Sequence, residues 1–241
     1  MAERSVRTGE WMNQSRLSRG GAALTVLVII LTLLSCGGDK ETAENTARPL
    51  PAVTIRAELL GMMFDEHQAR EILDSVVAES GWNSPESKAA TAEESRIDSV
   101  NQARLKEIVT EYGWPGKSLV GEEAALAAFL ILQHADLDLQ KEYLPLFEAA
   151  AEKGEVAPMH LAMLQDRILR RQDQPQIYGT QLWNDPSTGE LGLYPVRDSA
   201  SVDIRRDSVG LRPIGDYLRN MGIDPDTMTP PIQIQITPSE E

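Results

Sequence analysis

The chain has 241 residues, a formal charge of −14 and a single cysteine. An acidic surface of this strength repels nucleic acid and anionic lipid headgroups, so neither is an expected partner. One cysteine excludes an internal disulfide, and the length between the two polar ends suffices for one domain with a real core.

The first segment is net positive through Arg4, Arg7, Arg16 and Arg19 against Glu3 and Glu10. Gly20 to Leu34 then runs almost without polar residues. A spanning helix needs roughly twenty such residues; a run this short suits the core of a signal peptide. It ends in Leu33-Leu34-Ser35-Cys36, which resembles the lipobox of bacterial lipoproteins. The expectation is a signal peptide over 1–35, cleavage before Cys36 and lipid on that cysteine, anchoring the chain to a membrane of the cell envelope. Gly37 and Gly38 follow with no aspartate beside Cys36, which in a Gram-negative host points to the outer membrane, facing the periplasm. The polar, proline-bearing stretch up to Ala52 reads as a flexible tether over 36–52.

A mainly α domain is expected over 53–222, with about five or six helices and a small hairpin near its C-terminus. Leu59, Met62, Met63, Ala69, Ile72, Leu73, Val76 and Val77 recur at helical spacing over Val53–Ser80. Trp82–Ser87 reads as a loop, and Glu93–Tyr112 as a second helix broken by Gly113-Trp114-Pro115-Gly116. A third helix starts near Glu122. Ala124 to Leu132 lacks a polar residue, so this helix is the buried centre. It ends in Gln133-His134-Ala135-Asp136, after which Asp138 can cap a fourth helix running to Lys153. Pro158 opens a fifth, to about Gln172. Gln176–Trp183 and Glu190–Val196 flank the turn-forming N-D-P-S-T-G and read as a β-hairpin. A short helix from Pro213 to Met221 precedes a tail over 223–241, whose I-Q-I-Q-I stretch is either an edge strand or loose chain.

Five motifs follow one another through the body: G-W-P-G-K-S-L-V-G (Gly113–Gly121), Q-H-A-D (Gln133–Asp136), L-Q-D-R (Leu164–Arg167), P-Q-I-Y-G-T-Q (Pro175–Gln181) and V-D-I-R-R-D-S-V-G-L-R-P-I (Val202–Ile214). In this order they resemble an uncharacterised family of bacterial domains of unknown function. That family often carries Asp-Gln and a following Arg on its first helix. The matching stretch here is Glu66-His67 with Arg70, a departure from the pattern. The resemblance marks residues to watch and implies no reaction.

His134 sits where the buried helix ends, a place that favours a cation, with Asp136 close in sequence. It is the candidate acid/base, with Asp166 or Asp136 as its orienter. The alternative is an interior histidine capping carbonyls. Helical phase puts Asp166 and Arg167 at opposite boundaries of the fifth helix. Strand alternation puts Tyr178 and Thr180 on one face and Gln176 and Gln181 on the other. Asp203, Arg205 and Arg206 fall in a connecting segment, and Trp114 reads as a core plug. Zinc, phosphate-loop, dinucleotide and nucleophile-elbow motifs do not occur, so no metal or cofactor is expected.

Three functions are compatible with these residues. One is a binding module whose polar cleft takes an envelope or extracellular small molecule, glycan or peptide. Its binding residues would be Gln133, His134, Asp136, Asp166, Arg167, Tyr178, Gln181, Asp203 and Arg206. Another is a hydrolase using His134, with Arg167 or Arg206 holding an anionic group. The third is a structural lipoprotein without a site.

Overall fold

The computed structural model describes residues 51–185 and 190–227. The signal-like run, Cys36, most of the tether, the hairpin tip at 186–189 and the tail from 228 lie outside the described residues. Eight α-helices and one two-stranded antiparallel sheet make up the described body, which is mainly helical as expected.

Helix α1 (Pro51–Ser80) and helix α2 (Pro85–Tyr112) form a long hairpin. α2 starts eight residues before the expected Glu93. Ser84 is its N-cap, accepting from Ser87 N at 3.0 Å, and Pro85 takes the first turn. This capping outweighs the loop-like composition of the stretch. A short helix not expected from sequence, α3 (Lys117–Val120), follows the Gly113–Gly116 break.

The central helix is α4 (Glu122–His134), packed against α1, α2, α3, α5 and α6. Ala124, Ala127, Ala128 and Leu132 have no exposure, and the small side chains of the three alanines let neighbouring helices approach closely. Trp114 is buried, edge-on to Phe147 with ring centroids 4.7 Å apart, which makes it the core plug that was expected.

Helix α5 (Leu137–Glu152) is capped by Asp136, whose Oδ1 accepts from Leu139 N at 2.8 Å. The expected cap, Asp138, lies inside the first turn instead. The extended backbone of Asp136 (φ −63°, ψ 164°) is what aims its carboxylate at the free N–H groups. Helix α6 (Pro158–Arg171) matches its expected span.

The hairpin is shorter than expected. Strand β1 (Leu182–Asn184) pairs with β2 (Leu191–Leu193), Trp183 opposite Gly192. The Trp183 ring lies on Gly192, where any Cβ would collide with it. Gln176 keeps one isolated parallel bridge to Val196, but 177–180 are not strand, because their backbone groups bond to side chains rather than to a ladder. Asp203, Arg205 and Arg206 lie on helix α7 (Val202–Ser208), not in a loop. Helix α8 (Ile214–Asn220) and the following turn add Leu218 and Ile223 to a second, small core with Leu193 and Tyr217. The packed body therefore reaches Ile223, at the edge of the expected tail.

Candidate functional site

The segment from Gln176 to Gln181 is held from both sides. Asp166 on α6 has no exposure and accepts from Ile177 N (2.7 Å), Tyr178 N (3.1 Å), Thr180 N (2.9 Å) and Thr180 Oγ1 (3.0 Å). Burial pushes its carboxyl up in pKa, against the pull of these donors. The carbonyls of the same segment are taken by cations and a phenol. Arg205 Nε donates to Ile177 O (2.8 Å), Arg206 Nη1 to Tyr178 O (2.7 Å), and Tyr217 Oη to Thr180 O (3.1 Å). The buried Gln176 closes the loop on itself, donating to Gln181 O and Tyr194 O at 3.0 Å and accepting from Gln181 N at 2.6 Å. Gly179 has φ +68°, and a Cβ there would come within 3.0 Å of Ile214 Cδ1, so glycine is required.

Several candidate residues thus have structural employment. Asp166 is fully buried, not a boundary residue, and its oxygens are occupied by the loop. Asp136 caps α5. Asp203 accepts from Ile214 N at 2.7 Å at the start of α8. Arg206, 2% exposed, ties Tyr178 O and Gly179 O to Arg212 O and lies over the Tyr217 ring. Tyr178 lines a shallow depression of about 320 Å³ with Glu148, Glu152, Gln165 and Val209, whose lining does not include His134. The expected single cleft of His134, Asp166, Arg167, Tyr178 and Gln181 is therefore not assembled: helix and loop geometry directs Asp166 into the loop and Tyr178 to that depression.

A different set meets around the C-terminal end of α4. His134 Nδ1 is hydrogen-bonded to Glu66 Oε1, across from α1. Asp136 and Asp166, the orienters expected for this histidine, are not its partners. Glu66 is 4% exposed. Burial raises its pKa, but the bond and charge of His134, with the charge of Arg70, outweigh that and hold the carboxylate below its ordinary value. Arg70 Nη2 bonds Glu66 at 3.0 Å and Asp98 at 3.3 Å, and Nη1 bonds Glu94. With Nδ1 engaged, the half-buried imidazole keeps Nε2 without a partner among the described residues.

Arg167 extends this cluster from α6. Its Nε donates to Gln181 Oε1 at 3.1 Å, and its two Nη groups have no partner among the described residues. The charges felt by this guanidinium are those of Arg171, Arg170 and Arg70; burial first, then these cations, lower its pKa to about 10. Among the described residues it forms no ion pair with a carboxylate. Gln133 is 6% exposed, and its Oε1 is buried without a partner among the described residues.

Two contacts place Gln133 and Arg167 in one seam. Phe129 stacks on His160 at 4.5 Å near the start of α6, and Arg171 Nη1 donates to Ala135 O near its end. The two helices therefore run in the same sense past each other. Gln133 is one turn beyond Phe129, about 40° round α4, and Arg167 is two turns beyond His160, about 20° round α6. Helical phase therefore puts both on the sides of α4 and α6 that carry these two contacts. The α4 end itself is closed: Gln140 Nε2 donates to Leu132 O and Gln133 O at 3.2 and 2.9 Å, so His134 is not needed as its cap.

Sequence reasoning singled out Gln133, His134, Arg167 and Gln181 here and gave no site role to Glu66, Arg70, Glu94 or Asp98. The signal for Glu66 and Arg70 was their i, i+4 spacing within the first-helix stretch of the family resemblance.

A helical body with a polar seam between α1, α4 and α6 is thus the class of protein that the fold defines. Residues 54–225 match a family of unknown function, DUF6624, and the chain belongs to that family. No curated protein and no solved structure matches the chain.

Proposed function

We propose that this chain is a lipid-anchored protein of the cell envelope whose helical body binds an anionic ligand in the seam of Gln133, His134 and Arg167. Cys36 after the apolar run supports the anchor, outer-membrane in a Gram-negative host. The observation that carries the binding reading is Arg167. A partly buried guanidinium with Arg70, Arg170 and Arg171 as its charged neighbours, and both Nη groups without a partner among the described residues, is a costly arrangement unless an anion completes it. The free end of the guanidinium is the fork that accepts a carboxylate or phosphate in two parallel hydrogen bonds. The ligand would be a small molecule, or part of a glycan or peptide, bearing such a group.

The test is a thermal-shift series on the detergent-purified full chain with acetate, citrate and inorganic phosphate. An anion that binds the folded state raises the melting temperature by mass action. The expected result is a rise in the wild type that Arg167→Leu abolishes. A rise of equal size in both proteins rejects the reading.

The Glu66–His134 pair favours a second reading, an acid–base enzyme. Glu66 would hold the imidazole with Nε2 outward, ready to take a proton from water attacking an ester or phosphoester. Glu66→Gln should then lower the hydrolysis rate of activated nitrophenyl esters or phosphodiesters by about 100-fold or more. Equal turnover in the wild type and this variant, or none in either, leaves the binding reading alone.

A further inference from the structure

The unpartnered Gln133 Oε1 narrows the ligand of the proposed anion site. We infer that the seam takes an N-acyl α-amino acid, the grouping found at the C-terminal end of a peptide: a single carboxylate on Arg167 and the adjacent amide N–H on Gln133. This rests on the anion reading of Arg167 and adds a second, independent contact.

Gln133 Oε1 can only accept a hydrogen bond, and it is buried with nothing described to donate one. An unsatisfied buried acceptor costs stability, so its presence needs a partner that arrives with the ligand. Arg167 Nη1 and Nη2 can only donate. The complement of this pair is one molecule carrying both an anionic acceptor and a neutral donor. A carboxylate with an amide N–H on the neighbouring carbon meets that description in its smallest form.

Charge favours one carboxylate over a phosphate dianion. Beside the seam, Glu66, Glu94 and Asp98 surround Arg70, so three carboxylates face one guanidinium in that cluster. Arg70 is thereby already taken up by carboxylates and offers nothing to a second negative charge on the ligand, whereas a monoanion matches Arg167, whose Nη groups have no partner among the described residues.

Calorimetric titrations of the full chain with three probes test this. N-acetyl-L-alanine carries both groups, O-acetyl-L-lactate replaces only the N–H by oxygen, and N-acetyl-L-alanine amide removes only the negative charge. The expected order is strongest binding for N-acetyl-L-alanine, about tenfold weaker for the lactate ester, and none for the amide. Gln133→Met, which keeps the volume and removes the acceptor, should erase the difference between the two acids without lowering the melting temperature of the free protein. Equal affinity for the two acids, both dependent on Arg167, overturns the Gln133 assignment and leaves the anion reading standing. Failure of both acids while phosphate binds overturns the carboxylate assignment alone. If no anion binds, both readings fail. A loss of stability in Gln133→Met would show that the amide is satisfied within the fold and overturn the assignment as well.

Discussion

His160 lies flat on Phe129, rings 4.5 Å apart and 8° from parallel. Burial holds its imidazole to about 4, well below the ordinary 6.5. Between those values the unfolded chain takes up a proton that the folded chain refuses. Folded stability is therefore complete above pH 6.5 and declines as pH falls toward 4, by up to about 3 kcal/mol from this group. His160→Phe preserves the stacking and removes the titration. Urea unfolding at pH 7 and pH 4.5 should show the wild type losing more stability between the two than the variant; equal losses would mean that the folded histidine titrates normally. His134 contrasts with it, since one histidine is a packing residue and the other is held by a carboxylate, with one nitrogen unpartnered among the described residues. Sequence alone could not separate them, because both lie on helix faces bearing apolar neighbours and only the partner across the packed interface differs.

At the scale of elements, the Gln176–Gln181 segment is the one most at odds with its sequence pattern. Alternation predicts a strand, yet between its two ends the backbone donors go to Asp166 and the acceptors to Arg205, Arg206 and Tyr217. Three of the five sequence motifs are accounted for by this single clamp. Its removal should be costly. Asp166→Ala leaves the N–H groups of Ile177, Tyr178 and Thr180 without their acceptor, an expected loss of at least about 3 kcal/mol in urea unfolding. A loss below about 1 kcal/mol would mean that the loop finds other partners, and that Asp166 is free for chemistry after all. The loop also delivers Gln181 to Arg167, so the variant should weaken anion binding without touching the site directly.

For the molecule as a whole, two cores of unequal size are joined by that loop: the large helical one around α4, and the small one of Leu193, Tyr217, Leu218 and Ile223. The sequence by itself determined the class of the fold, because α1, α4 and α6 carry apolar residues at helical spacing and Pro158 marks a helix start that composition alone reveals. It also determined the burial of α4, whose run from Ala124 to Leu132 has no polar residue to offer to water. It pointed to Gln133, His134, Arg167 and Gln181 as residues of interest, but not to what each one does. Only the tertiary structure decided which polar residues are consumed in holding the fold and which retain unused hydrogen-bonding groups. Asp136, Asp166, Asp203 and Arg206 fell to the first group, and Gln133, His134 and Arg167 to the second. The physical reason is that a polar side chain's role is set by the partners within about 3 Å of it. Glu66 lies 68 residues from His134 along the chain, a separation that no periodicity records.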